Sequence, residues 1–232
     1  MEKILVTGGK GRFSNELKKL KTRYEFIFKS KTQLNILSIN SITKNFKKFK
    51  PKIVLHLAGL SRPMSVHEND INKSIDLNII GTSNLVKVCN NFKIKIIFFS
   101  TNYVYPGIKG NYSEKDPVNP WNNYGWSKLG AEAAVQMYEN SLIIRACMTE
   151  KPFIHKFAFS DVKSNFIFHE DFAKIFVKLI KKKGVINIGG KVKTIYEFAK
   201  KHNSKVKKKR SMGVLPKQMD MNLSKLNKYL KK

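Results

Sequence analysis

Tyr124 and Lys128 lie at i and i+4 in the stretch PVNPWNNYGWSKLGAE, which runs from Pro117 to Glu132. On a helix that spacing puts both side chains on one face, with the ammonium beneath the phenol. A free tyrosine ionises at about pH 10. A neighbouring cation favours the phenolate and brings the group toward donating or accepting a proton near neutrality. Such a pair also arises by chance, so the reading depends on what the rest of the chain brings beside it.

Two further stretches supply that company. Lys3 to Thr7 (KILVT) is a short apolar, β-rich run that breaks into Gly8, Gly9, Lys10 and Gly11, and a helical pattern begins near Ser14. Strand, glycine turn and helix is the layout in which backbone N–H groups grip a pyrophosphate. Ile94 to Phe99 (IKIIFF) is a near-continuous apolar run ending in Ser100, Thr101 and Asn102. A buried parallel strand has this pattern, and its C-terminal end is where such sheets place reactive hydroxyls.

Taken in order, the motifs resemble the extended short-chain dehydrogenase/reductase family. The residues that carry the resemblance are TGGKGRFS (Thr7 to Ser14), HLAG (His56 to Gly59), NIIGTSNL (Asn78 to Leu85), FSTNYVYPG (Phe99 to Gly107) and YGWSK (Tyr124 to Lys128). The resemblance extends over nearly the whole chain. The resemblance implies an α/β Rossmann-type fold, a doubly wound parallel sheet with a small C-terminal substrate-binding annex. Residues 1–145 would form the NAD(P)-binding domain and residues 146–232 a reduced substrate-binding region, partly interleaved with the core.

The same resemblance implies hydride transfer to the ketone of a nucleotide-linked 4-keto-6-deoxy sugar, with Thr101, Tyr124 and Lys128 as catalytic residues. Cofactor contacts fall to Gly8, Gly9, Gly11, Arg12 and Phe13, to Ala58 and Gly59, to Asn78, and to Tyr124 and Lys128. Arg62, Asn102, Tyr103 and Arg145 are expected at the substrate. Two departures stand out. Ser14 replaces the usual third fingerprint glycine, yet is small enough for close helix-to-strand packing. Asn102 stands where reductases of the family usually carry Asp. Sugar dehydratases of the family carry an Asp-Glu pair after the strand-end Thr, and Asn102 and Tyr103 cannot supply two carboxylates.

Cofactor choice turns on the end of the second expected strand, Tyr24 to Phe28. An acidic residue there would accept hydrogen bonds from a ribose 2′-OH, but Lys29, Ser30 and Lys31 follow instead. With Arg12 they favour a 2′-phosphate, so the expected cofactor is NADPH, with NADH also compatible. Elsewhere His56, inside an apolar run, reads as a satisfied core histidine. Thr149 to Phe168, rich in aromatic and basic residues, is the candidate substrate loop.

A length of 232 residues permits one α/β domain with a small annex. Cys89 and Cys147 have no metal or redox spacing. No signal peptide or membrane-length apolar run is visible, so the expected location is cytoplasmic, with no membrane partner. Lys and Arg number 45 against 16 Asp and Glu, a net charge of +29 that attracts polyanions. Most of these lysines are dispersed over polar helix faces. The sharpest run, KVKKKR at Lys205 to Arg210, reads as solvated surface rather than a nucleic-acid patch. Small residues after Lys128 are compatible with close packing against a sheet or with a homodimer. Two other functions fit the same motifs: a nucleotide-sugar epimerase with tightly held NAD, and a non-catalytic dinucleotide-binding regulatory or RNA-binding module.

Overall fold

A computed structural model describes residues 1–231. Six parallel strands form the central sheet: β1 (Glu2–Thr7), β2 (Tyr24–Lys29), β3 (Ile53–His56), β4 (Lys95–Thr101), β5 (Ser141–Ala146) and β6 (Gly184–Ile188). Their spatial order is β6-β5-β4-β3-β1-β2. The order reverses between β1 and β3, and in open α/β sheets a ligand crevice forms outside the strand ends at such a switch. The fold is therefore the expected α/β, Rossmann-type arrangement.

Alternation along the strands decides which helices cover which face. Ile4 and Val6 of β1 point to one side, with Leu55, Phe99 and Ile144, and receive Phe13 and Leu17 of α1 (Arg12–Lys18). Phe172 and Phe176 of α5 (His169–Leu179) and Leu226 of α7 (Ser224–Leu230) complete that layer. Leu5, Val54, Phe98 and Ile143 point the other way. They are covered by α2 (Ile39–Phe49), α3 (Gly81–Phe92) and α4 (Asn123–Gln136) through Ile42, Phe46, Leu85 and Val135.

The segment after Ala146 is not a separate body. It returns to the core, where β6 pairs with β5 from Gly184↔Leu142 to Ile188↔Ala146. The remainder builds a smaller apolar cluster from Phe153, Ala158, Val162, Ile195 and Met219. Here α6 (Ile195–His202) begins with a capping box between Thr194 and Glu197, which closes the first-turn donors at both ends. Among the described residues no helix is long and apolar enough to cross a membrane.

Two local features set up the site. Before α3 the chain winds through a short helix at Ile71–Ser74 and then a π-helix at Ile75–Ile80, a form that often marks a functional position. At the start of α4 the Asn122 side chain accepts the Gly125 N–H at 2.8 Å. A Cβ on Gly125 would stand 2.6 Å from the Tyr103 carbonyl oxygen, so the helix can approach the turn after β4 only with glycine following Tyr124.

Candidate active site

The glycine turn after β1 is pressed against its neighbours. Gly8 has φ +68°, and a Cβ there would lie 2.8 Å from the Ala58 nitrogen; one on Gly9 would lie 2.8 Å from the Lys29 nitrogen. Ser14 Oγ donates to the Gly8 carbonyl at 3.0 Å, so the serine in place of the usual glycine pins the turn. The backbone N–H groups of Arg12 and Phe13 open α1 and have no intrahelical acceptor. Gly8, Gly11, Ala58, Gly59, Ser30 and Lys31 line a cleft of about 350 Å³, as does Lys10.

Two expectations are corrected here. The Lys29 ammonium lies 3.9 Å from the Phe49 ring centroid, at the end of α2, and is not part of the cleft lining. Phe13 keeps only its backbone for a ligand, since its ring packs 4.9 Å from Phe99 and 5.0 Å from Phe172.

A larger cavity of about 560 Å³ opens at the C-terminal ends of β4 and β5, and Thr101, Asn102, Tyr103, Tyr124 and Arg62 line it. Thr101 Oγ1 accepts the Tyr103 N–H at 3.3 Å, which caps the turn following β4. Thr101 and Tyr124 stand in the wall of the same cavity. Burial pushes the Tyr124 phenol above the usual tyrosine range, opposed by Thr101, Arg62 and Arg12. The Lys128 ammonium lies 4.1 Å from the Phe98 ring centroid, and burial brings it down to about 7, against the pull of the Glu132 carboxylate. The phenol is thus buried and protonated, with Arg62 and Arg12 opposing the effect of burial.

A chain of hydrogen bonds ties the sheet to Tyr124. Thr7 Oγ1 accepts the Leu57 and Ala58 N–H groups at 3.1 and 3.0 Å and meets His56 Nδ1 at 2.8 Å. His56 Nε2 lies 2.9 Å from Thr82 Oγ1, which donates to the Asn78 carbonyl at 2.6 Å. With that proton committed, Thr82 must accept from Nε2–H, and Nδ1 must accept from Thr7. The ring is therefore neutral, and burial brings its pKa down to about 3. This is the core histidine expected from the apolar run. Asn78 continues the chain: its Oδ1 accepts the Leu60 N–H at 2.7 Å, and Nδ2 donates to the Leu60 carbonyl at 3.0 Å and Ser127 Oγ at 2.8 Å. Ser127 Oγ donates to the Tyr124 carbonyl at 2.8 Å. These bonds fill the Asn78 side chain, so the expected cofactor contact is corrected to one of positioning.

Among the expected substrate residues, Tyr103 stands edge-on to Tyr124 with ring centroids 5.7 Å apart. Asn102 is buried and its Nδ2 donates to the Met219 carbonyl at 3.1 Å, holding the tail against the cavity. Arg62 meets Glu150, at Oε1 2.9 Å away. Arg145 is a correction. It does not line the cavity; its Nη2 pairs with Glu132 Oε2 at 2.8 Å and its Nη1 donates to the Tyr105 hydroxyl at 2.9 Å. The strand end that was to reach substrate points into the layer beneath α4.

Sequence reasoning missed Glu132 and Glu150, as well as the surroundings of His67. His67 is buried, with Nδ1 2.5 Å from Ser74 Oγ and its ring 5.0 Å from that of Tyr124. Glu132 did leave a signal, as the one acid in a run of small residues. Phe153, His155, Lys156, Phe157 and Phe159 from the candidate substrate loop do line the larger cavity. Among the described residues no cluster of three or more His, Cys, Asp or Glu is placed to hold a metal ion.

The fold is shared with solved reductases. A dTDP-4-dehydrorhamnose reductase from Bacillus anthracis, solved in complex with NADP, superposes with a TM-score of 0.87 at 21% identity, covering 97% of this chain and 92% of that one. A protein of the same name from Clostridium acetobutylicum gives 0.84 at 24% identity, covering 94% and 89%. In sequence, a dTDP-4-dehydrorhamnose reductase from Aggregatibacter actinomycetemcomitans is 25% identical over 193 residues, 81% of this chain and 60% of that protein. Methionine adenosyltransferase 2 subunit beta from Bos taurus is 36% identical over 110 residues, 47% of this chain. The chain thus matches 32% and 60% of the lengths of these two relatives. A match to the RmlD substrate binding domain family extends over residues 1–149, well over half of the chain, and the chain belongs to that family.

Proposed function

We propose that the chain is an NADPH-dependent reductase of a nucleotide-linked 4-keto-6-deoxy sugar. The observation that carries this reading is that Thr101 and Tyr124 both stand in the wall of the larger cavity, with Arg12 joining that cavity to the glycine-turn side. The names of the reductases it resembles support the same reaction class. The cleft fits a dinucleotide: a glycine turn no side chain could enter, two unpaired N–H groups at its mouth, and Lys10, Ser30 and Lys31 where a 2′-phosphate would lie.

A bound reduced nicotinamide would supply the hydride. Tyr124, kept protonated by burial, donates its proton to the ketone oxygen, and the Thr101 hydroxyl bonds the same oxygen as charge develops on it. Lys128 would hold the nicotinamide ribose. Phe153, Phe157 and Phe159 offer flat apolar surface for a base, with Lys156 for a diphosphate.

The test is NADPH oxidation against a panel of keto sugar nucleotides. Tyr124→Phe should lower turnover at least about a hundredfold and leave dinucleotide affinity within about twofold. A variant that keeps most activity refutes the role given to Tyr124. The likeness to a subunit of methionine adenosyltransferase favours a second reading, a dinucleotide-binding subunit of a larger assembly. Dinucleotide binding without turnover of any sugar nucleotide would select it.

A further inference from the structure

Glu150 has no part in that reaction, yet two arginines of the cavity wall converge on it. It follows the two-residue strand Met148–Thr149, and its carboxylate pairs with the Arg12 guanidinium. It also accepts from Arg62 Nη1 at 2.9 Å through Oε1 and 3.1 Å through Oε2. The two cations come from opposite sides of the crevice, Arg12 from the glycine turn and Arg62 from the loop after β3. Both line the larger cavity. One carboxylate therefore ties together two arginines of the cavity wall, one of them at the start of α1 directly after the glycine turn.

Acid is scarce in this chain, with 16 Asp and Glu against 45 Lys and Arg. Here one acid serves two arginines distant from it in sequence. Carboxylate and phosphate oxygens use the same guanidinium donors, so an incoming diphosphate and Glu150 compete for them. Burial pushes the Glu150 carboxyl up, but Arg12 and Arg62 outweigh it and hold the group below the usual carboxylate range. The same loop continues into Phe153, His155 and Lys156, which form a wall of the larger cavity.

We propose that Glu150 is a latch on the order of binding. It occupies the anion seat between Arg12 and Arg62 until the diphosphate of the dinucleotide displaces it, and that release frees the loop to admit the second ligand. The inference rests on the dinucleotide-dependent reading and adds a sequence of events to it.

The side chains are partly exposed, 44% for Arg12, 39% for Arg62 and 20% for Glu150, so each pair should hold by a factor of only about 1.4 to 5. Freeing both arginines predicts NADPH binding about three to ten times tighter in Glu150→Gln than in the wild-type chain, read by isothermal titration. Glu150→Ala should move the same way, and thermal melting checks that both variants are folded. Thymidine diphosphate, titrated with and without NADP⁺, probes the second site. The wild-type chain should bind it at least about fivefold more weakly without NADP⁺, and Glu150→Gln should lose that difference. Unchanged NADPH affinity in both variants, or an unchanged NADP⁺ requirement in Glu150→Gln, overturns the latch and leaves the reductase reading standing. Failure of every protein to bind NADPH overturns both.

Discussion

The pair beneath the catalytic helix invites a double-mutant cycle. Glu132 and Arg145 are 1% and 5% exposed at their side chains, so water screens neither, and they share three hydrogen bonds of 2.8 to 3.2 Å. Glu132→Leu leaves the guanidinium buried with only the Tyr105 hydroxyl, and Arg145→Met leaves a bare carboxylate. Breaking a buried pair from one side costs about 3–5 kcal/mol. For a chain of this size each kcal/mol is about 2–4 °C, so either single variant should melt roughly 6–20 °C lower. The double variant removes both charges together. It loses one donor to Tyr105, whose hydroxyl still reaches the Asn187 side chain at 2.9 Å and the Ser113 carbonyl at 3.0 Å. Its cost should be about 1–2 kcal/mol, less than either single change. Chemical denaturation of the four proteins measures the coupling. Single costs below about 1 kcal/mol, as for exposed pairs, or a double variant equal to the sum of the singles, would refute the reasoning.

The remaining predictions concern the bonds around Tyr124. Lys128 titrates near 7 in the folded chain and at about 10.4 unfolded, so between those values the unfolded state holds more protons and stability rises with pH. The difference between wild type and Lys128→Met should climb by up to about 1.4 kcal/mol per pH unit from pH 7 to 9, measured by denaturation; a flat difference would show that the ammonium is solvated. Asn78→Ala removes three bonds that hold the loop after β3 and the first turn of α4. It should cost about 1–3 kcal/mol and lower kcat more than dinucleotide affinity; equal losses in both would place Asn78 at the ligand instead.

The backbone of the site was legible because its signals are local. An apolar run breaking into glycines, an apolar run ending in Ser-Thr-Asn, and a Tyr and Lys one turn apart each describe neighbours along the chain. What the sequence could not show was where long side chains go once strands lie side by side. Lys29 had a clear electrostatic role at the cleft until Phe49, from the following helix, offered its ring. Arg145 closed an apolar strand, which is compatible with solvent or substrate; its partner sits on a helix whose facing could only be settled by packing. The Asn78 chain is similar. Each link is an ordinary Thr, His or Ser, and only the π-turn brings them into line. Glu150 sits in a loop with no periodicity, where nothing local points to two arginines far upstream.

The late arrival of β6 has a bearing on how the chain reaches its fold during synthesis. Until Gly184–Ile188 has left the ribosome, the outer edge of β5 presents unpaired backbone groups along a wholly buried strand, a template for pairing with another nascent chain. A fragment ending near Ala146 would keep that edge for good, and it should accumulate as aggregate even though it contains the whole glycine turn and both Tyr124 and Lys128.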